Sequence, residues 1–157
     1  MAMQKVRSGD VYQIQATEGV CFIQCVKEST TKMRSDIVRV LPSVFALTTE
    51  LDVEAIASQK ELFFSELPLK YAARKKLLSF VGNYEIPAGS EAPSFYRTEH
   101  IIGSEFLGWH IVDSETWHRK LVTTLSPDDI KLSPWGMISI PDIVERIENN
   151  WTPSEWV

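Results

Sequence analysis

The 157-residue sequence has few of the features that mark secreted, membrane or metal-binding proteins. It contains two cysteines and three histidines, and its seven glycines and eight prolines are scattered rather than clustered. No apolar run approaches the roughly 20 residues that a membrane helix needs. Lys5 and Arg7 precede no apolar segment long enough for a signal peptide, so we expect a cytoplasmic protein without a membrane span.

The sequence also lacks the common catalytic signatures. It contains no Gly-x-Ser-x-Gly elbow, no P-loop, no Gly-x-Gly-x-x-Gly and no Cys-x-x-Cys. No two of its histidines have the i, i+4 spacing that places two metal ligands on one helical turn. We therefore predict no catalytic residues, no metal and no cofactor, and we expect binding rather than catalysis.

Both cysteines fall in the apolar segment 20–26, whose composition predicts a β-strand. Two residues four apart in a strand are separated by about 13 Å, so Cys21 and Cys25 cannot form a disulfide with each other there. Unpaired thiols of this kind usually behave as small buried apolar groups. We therefore predict that both cysteines pack in the core.

The first third of the chain predicts β structure. Residues 10–16 alternate in polarity, and after a loop that contains Gly19 the segment 20–26 is apolar on both faces, as in a central strand. A third β-branched run covers 37–41 and completes a predicted three-stranded meander. This opening is compatible with part of a small SH3-like barrel.

The rest of the chain predicts short helices and further antiparallel strands. The capping-box spacing at Thr49 predicts a helix over 50–59, and Pro68 can open a second one. The same spacing at Ser139, followed by a helical apolar stripe, predicts an amphipathic C-terminal helix. Additional strands are predicted over 78–86, 95–102, 108–112 and 117–124. We expect one mostly antiparallel α+β domain over residues 1–157.

The net charge of −5 is unevenly distributed. Residues 1–49 hold six basic and four acidic side chains, whereas residues 77–157 hold five basic and twelve acidic ones. This distribution disfavours direct nucleic-acid binding, which draws its affinity from clustered Lys and Arg. Lys70, Arg74 and Lys76 form a small basic patch on a short helix, which we interpret as a solvated face that balances preceding acidic residues.

All five tryptophans lie in the last third of the sequence. We expect Trp117, like Tyr12, to lie in the core, and Trp151 to pack at the end of the last helix. Trp156 is expected at the surface, where tryptophan often anchors a protein partner. The candidate partner-binding residues, which lie on or beyond the polar side of the last helix, are Glu145, Glu148, Glu155 and Trp156.

Short motifs along the chain together suggest a family. They are Gly9-Asp10-Val11-Tyr12-Gln13-Ile14 with Gly19 and a second apolar strand; Val81-Gly82 and Ile86-Pro87 before Pro93 and Phe95; and Leu132, the terminal helix, Trp151 and Pro153. This arrangement resembles the immunity protein 26 family of small bacterial proteins associated with polymorphic toxin systems. The resemblance implies a non-enzymatic protein that binds and neutralises a cognate toxin, often a nuclease, inside the cell that makes it.

An acidic C-terminal half would suit a basic toxin, because complementary charge speeds association and favours the intended partner. Two alternatives remain open. One is a small-ligand or peptide-binding module built on the opening β structure. The other is a metal-dependent hydrolase that uses His110, Asp113 and His118, which lie with Glu115 within nine residues.

Overall fold

The computed structural model describes residues 5–48 and 50–157, which form two antiparallel sheets, three α-helices and two 3₁₀ turns. The strands are β1 (Asp10–Gln15), β2 (Val20–Lys27), β3 (Asp36–Val40), β4 (Phe63–Leu67), β5 (Ser79–Asn83), β6 (Phe95–Ile102), β7 (Glu105–Asp113) and β8 (Arg119–Val122). The helices are α1 (Val53–Ala57), α2 (Leu69–Arg74) and α3 (Ile140–Glu148), and the 3₁₀ turns are Asp129–Lys131 and Pro153–Glu155. The predicted α+β fold is confirmed.

The first sheet has five strands in the order β4-β3-β2-β1-β5. The predicted meander of β1, β2 and β3 is confirmed, and β2 is the central strand, as its apolar character on both faces indicated. The small barrel does not form among the described residues, because β4 and β5 lie at opposite edges of an open sheet.

Both faces of this sheet are covered by helices. Side chains alternate along β2, so that Cys21 and Ile23 pack on one face, with α2 and α3, whereas Phe22 packs on the other, with α1. The apolar stripe of α3 explains its place, because Ile143 and Ile147 are both buried against the first of these faces. The first sheet is therefore the middle layer of the main core.

Gly19 is required by a close approach of two chain segments. The Ala16 N–H donates to the Gly19 carbonyl (2.8 Å), which closes the hairpin between β1 and β2. Beside it, Val20 and Phe45 exchange two backbone hydrogen bonds of 2.8 Å. A Cβ atom at position 19 would collide with the Phe45 carbonyl oxygen, so only glycine fits.

The N-termini of α1 and α3 are each capped by a side chain. Asp52 is the N-cap of α1 and its carboxylate accepts the Ala55 N–H (3.1 Å), so the helix is shorter than the predicted 50–59. Thr49, the predicted start of a capping box, lies outside the described residues. The prediction for α3 is confirmed, since the Ser139 hydroxyl accepts the Asp142 N–H (3.2 Å).

The second sheet has three strands in the order β6-β7-β8. These strands do not extend the first sheet, although their sequences predicted further antiparallel pairing. The segment 133–137 lies between the two sheets, with isolated bridges that pair Glu66 with Met137 and Arg97 with Pro134. The segment thus joins β4, an edge strand of the first sheet, to β6, an edge strand of the second sheet. In residues 5–48 and 50–157, no helix has the length and apolar character that a membrane crossing needs.

Candidate functional site

The outer end of the second sheet carries large apolar side chains that face solvent. Ile102 is 62% exposed and Phe106 is 51% exposed, and both flank the turn that joins β6 to β7. We call this end of the sheet the hairpin surface; it consists of Ile101, Ile102, Phe106, Leu107 and Leu121, and strand alternation distributes these side chains over both faces. Large apolar patches on soluble proteins commonly mark binding sites for other proteins. The hairpin surface therefore qualifies as a docking site.

The hairpin surface continues into an aromatic cluster. The Phe106 and Trp109 rings meet edge to face with centroids 5.4 Å apart, and Trp109 meets Trp156 in the same way at 4.8 Å. The Arg97 guanidinium carbon lies 4.4 Å from the Trp109 ring centroid and 4.6 Å from that of Trp156. A rigid aromatic base of this kind holds an adjacent docking surface in a fixed shape.

Arg97 ties the C-terminal turn to the second sheet. Its side chain is fully buried and donates to the carbonyl oxygens of Ile130 (3.0 Å), Leu132 (3.3 Å) and Pro153 (2.6 Å). Burial lowers the pKa of Arg97, and the more distant carboxylates of Asp129 and Glu99 oppose that shift. An arginine guanidinium stays charged in proteins, and this one fastens the 3₁₀ turns to β6 through its hydrogen bonds.

Two of the predicted partner-binding residues, Glu155 and Trp156, lie in this C-terminal turn. The Glu155 carboxylate accepts the Thr152 N–H (2.9 Å) and completes a capping box, while its side chain faces solvent. Trp156 is half-buried rather than free, and its indole N–H donates to Glu99 (2.8 Å). The structure thus places Trp156 beside the hairpin surface, through its contact with Trp109.

The other two predicted partner-binding residues, Glu145 and Glu148, lie on α3 and are exposed. They belong to the helix that covers the first sheet, not to the turn that carries Glu155 and Trp156. Next to Glu145, Arg146 stacks on Trp151 with its guanidinium carbon 4.2 Å from the ring centroid. The four predicted residues therefore fall on two separate elements.

The predictions for Trp151 and Trp117 have different outcomes. Trp151 packs edge to face on Phe63 with centroids 5.3 Å apart, so the prediction that it packs at the helix end is confirmed. The prediction that Trp117 lies in the core is wrong, because this residue is 38% exposed. It sits in the turn before β8 with a positive φ of 61°, where its ring contacts Arg34 and Trp135 instead of the core.

The histidines do not form the metal site of the hydrolase alternative. His110 pairs with His100 across the strands, Nε2 to Nδ1 at 2.9 Å. Asp113 accepts the backbone N–H groups of Glu115 and Thr116, which lower its pKa. Over the ranges 5–48 and 50–157, no group of three or more His, Cys, Asp or Glu side chains is placed to hold a metal ion. The proposed ligand set therefore does not converge.

The cysteines are buried free thiols, as predicted. Burial raises the pKa of Cys21 and that of Cys25 to about 12, with smaller contributions from Glu148 and Asp36 respectively. A thiol of this kind is protonated at neutral pH and is a poor nucleophile. Neither cysteine is suited to covalent catalysis.

A second feature, which the sequence interpretation missed, is a basic cavity of about 610 Å³. It opens between the loop after β2, the helix α2 and the segment before α3, and its lining includes Lys32, Arg34, Lys70, Tyr71, Arg74 and Met137. The basic spacing of Lys70 and Arg74 was the available signal. Lys70 and Arg74 are exposed, as a solvated face requires, and they also line a concave site together with two cations from a distant loop.

The hairpin surface was also missed, since its residues were assigned only to strands. The signal in the sequence was the pair of apolar runs at 101–102 and 106–107 around a short polar turn. Comparison with known proteins adds no relative: no family model, no curated protein and no solved structure matches this chain.

Proposed function

We propose that this chain is a non-enzymatic binding protein that engages a protein partner through the hairpin surface. The observation that carries the proposal is the exposure of five large apolar side chains at one end of the second sheet. Exposing such a patch is unfavourable in water, and a protein partner that covers it recovers the burial free energy. The edge-to-face packing of Trp109 and Trp156 restrains this surface, which lowers the entropy lost on binding.

The partner that best fits the surroundings is a basic protein. Glu99 and Glu105 are exposed on the two strands of the hairpin, and the whole chain has a net charge of −5. These two carboxylates and the net negative charge attract a positively charged protein and raise its association rate, while Arg119 and Lys120 beside Leu121 on β8 oppose that attraction locally. Together with the resemblance to immunity proteins, this supports a cognate toxin as the partner, with a nuclease as the favoured class. Such a complex would form in the cytoplasm of the producing cell.

The residues first selected from the sequence take different places in this proposal. Trp156 and Glu155 lie next to the aromatic base of the hairpin surface, so we place them at its border. Glu145 and Glu148 form a separate acidic face on α3, where they would add long-range attraction for the same basic partner. Raising the salt concentration is expected to weaken the complex, since salt screens this attraction.

The test combines affinity capture with matched surface variants. The tagged protein is incubated with a lysate of its source organism, and a stoichiometric polypeptide is identified, purified and assayed for nuclease or other toxic activity. The test variant is Ile102→Ser with Phe106→Ser. The control is Leu47→Ser with Leu77→Ser, whose wild-type side chains are 66% and 49% exposed but lie outside the hairpin surface. Circular dichroism checks that both variants fold.

We expect the wild type and the control variant to bind the partner one to one and to suppress its activity. The hairpin variant is expected to lose at least about thirtyfold in affinity, as for two central apolar anchors. Equal affinity of the hairpin and control variants would show that another surface binds. A tightly bound partner whose activity is unchanged would refute the toxin-neutralising role while leaving protein binding intact.

A further inference from the structure

We propose that the basic cavity is a binding site for a small phosphate-bearing ligand, separate from the hairpin surface. Its volume of about 610 Å³ falls in the range typical of small-molecule sites. Its walls come from separate parts of the chain: the loop 29–35, the helix α2 with Pro68, and Met137. A site assembled in this way has a definite shape only in the folded protein.

The charges that line the cavity are strongly unbalanced. Four basic side chains line it (Lys32, Arg34, Lys70 and Arg74), against a single carboxylate, that of Asp36. Among the described residues, Lys32, Lys70 and Arg74 form no ion pair. Cations that converge without a counter-charge repel one another, and an anion bound between them relieves that repulsion.

Asp36 keeps its negative charge and offsets one of the four cations, while its carboxylate also binds the walls of the cavity. One of its oxygens accepts the Ser29 N–H (2.8 Å) and the other accepts the Leu69 N–H (3.1 Å). Asp36 is also buried. It therefore joins the loop after β2 to the start of α2 and holds the two basic walls at a fixed separation.

Arg34 is fixed in a similar manner. It donates to the carbonyl oxygens of Ser114 (2.9 Å) and Glu115, and its guanidinium carbon lies 4.8 Å from the Trp117 ring centroid. Carbonyl oxygens and an aromatic face position this cation without neutralising its charge. Arg34 thus contributes positive potential at one side of the cavity, offset in part by the nearby Glu66 carboxylate. Lys70 and Arg74 are exposed, and the Arg74 guanidinium carbon lies 5.5 Å from the Tyr71 ring centroid.

The composition of the cavity favours phosphate over a single carboxylate. A phosphate monoester carries close to two negative charges and three acceptor oxygens, so it can contact Arg74 and a lysine at the same time. Tyr71, Met33 and Met137 add exposed apolar surface beside the cations. This surface suits the organic part of a small ligand such as a nucleotide.

The test titrates the full-length, isotope-labelled chain with ADP, with inorganic pyrophosphate and with a hexaglutamate peptide, at low and moderate salt. Calorimetry gives affinities and amide chemical shifts locate the contacts. The test variant is Lys70→Gln with Arg74→Gln. The control is Lys120→Gln with Lys131→Gln, which removes the same charge from exposed positions outside the cavity.

We expect ADP or pyrophosphate to shift the amides of residues 29–36 and 69–74, and the cavity variant to weaken binding by about tenfold or more. The control variant should change the affinity by less than about twofold, because distant charges are screened. Absence of saturable binding by both phosphate probes would overturn the proposal, as would equal weakening by the two variants. Tighter binding of hexaglutamate would also overturn it, in favour of an acidic protein segment.

Discussion

Each of the two sheets buries one arginine completely, but the two guanidinium groups are held in different ways. In the first sheet, Arg39 donates to Gln24 (2.6 Å) and to the Gln59 carbonyl (2.7 Å), and it forms an ion pair with Glu61 at 3.5 Å. In the second sheet, none of the described carboxylates accepts a hydrogen bond from Arg97, which relies on carbonyl oxygens and two tryptophan rings.

This difference reflects how each sheet is covered. The first sheet has helices on both faces, so a charge buried there needs a buried counter-charge, which Glu61 supplies with a side chain that is only 4% exposed. The second sheet is covered at one end by the C-terminal turn and is bare at the hairpin surface. The first sheet therefore supports the fold, whereas the second presents a surface whose shape depends on the last residues of the chain.

Of the changes considered, raising the pH is expected to lower the stability of the protein the most, because both buried thiols lie in the first sheet. Their pKa of about 12 exceeds that of an unfolded cysteine, near 8.5, so the folded state holds more protons between these values. The contribution of the two protonated thiols to the free energy of unfolding is therefore fully present below about pH 8.5 and falls as the pH rises toward 12. Urea unfolding followed by circular dichroism at pH 7, 9, 10 and 11 measures the slope.

The variant Cys21→Ala with Cys25→Ala is the control for this effect. It removes both titrating thiols and is expected to flatten the decline above pH 9, although its stability at pH 7 will be lower because of the lost packing. If its decline were as steep as that of the wild type, other groups would be responsible. Tyr12, whose pKa burial also raises, is the next candidate in the same sheet.

Removing the buried ion pair of the first sheet should lower the free energy of unfolding nearly as much as alkaline pH does. Arg39→Met leaves the buried Glu61 carboxylate with only the exposed Lys60 ammonium, 3.0 Å away, as a counter-charge, which is expected to lower the free energy of unfolding by about 3 kcal/mol. The double variant Arg39→Met with Glu61→Leu should recover part of this loss, because no buried charge remains at this site. Urea unfolding at pH 7 compares the two. A double variant that is less stable than Arg39→Met would contradict this account.

The corresponding change in the second sheet should have a smaller and more local effect. Arg97→Met is expected to cost about 2–3 kcal/mol, since three carbonyl oxygens and two ring contacts lose their cation. Hydrogen exchange should accelerate in β6 and β7 while β1, β2 and β3 remain protected. Equal acceleration in both sheets would show that they open as one unit and would remove the proposed distinction.

The smallest expected effect is at the C-terminal turn. Trp156→Leu removes the contact with Trp109 and the hydrogen bond to Glu99, at an expected cost of about 1–2 kcal/mol. Val157→Ser, at the exposed neighbouring position, should stay within about 0.5 kcal/mol of the wild type. Thermal melting compares the two. If Trp156→Leu melted like Val157→Ser but no longer bound the partner, Trp156 would be a contact residue rather than a packing residue.

The parts of this molecule that were predictable from sequence are those governed by neighbouring residues. Alternation and apolar runs located β1, β2 and β3, and the serine at position 139 marked the start of α3 through a hydrogen bond to its own first turn. The burial of Cys21 and Cys25 followed from the apolar character of β2 on both faces. Each of these features depends on interactions within one strand, one hairpin or one helical turn.

The candidate sites were harder to predict, because each depends on which strand edges meet. Trp156 was chosen as a surface anchor, but its contacts with Arg97 and Trp109 arise only where the C-terminal turn crosses the second sheet. Lys70 and Arg74 were visible as a basic patch, yet the cavity forms where Asp36 joins the loop of Lys32 to α2, which the sequence does not show.

The types and order of the main elements, the buried thiols and the net negative charge thus follow from the amino-acid sequence. The division of the strands into two sheets, the burial of one arginine in each sheet and the exposure of one hairpin follow from the packing of distant segments. The two groups of features differ in the range of the interactions that produce them. Hydrogen bonds and periodicity within an element are encoded locally, whereas burial of a charge or exposure of an apolar face depends on what distant segments pack against it.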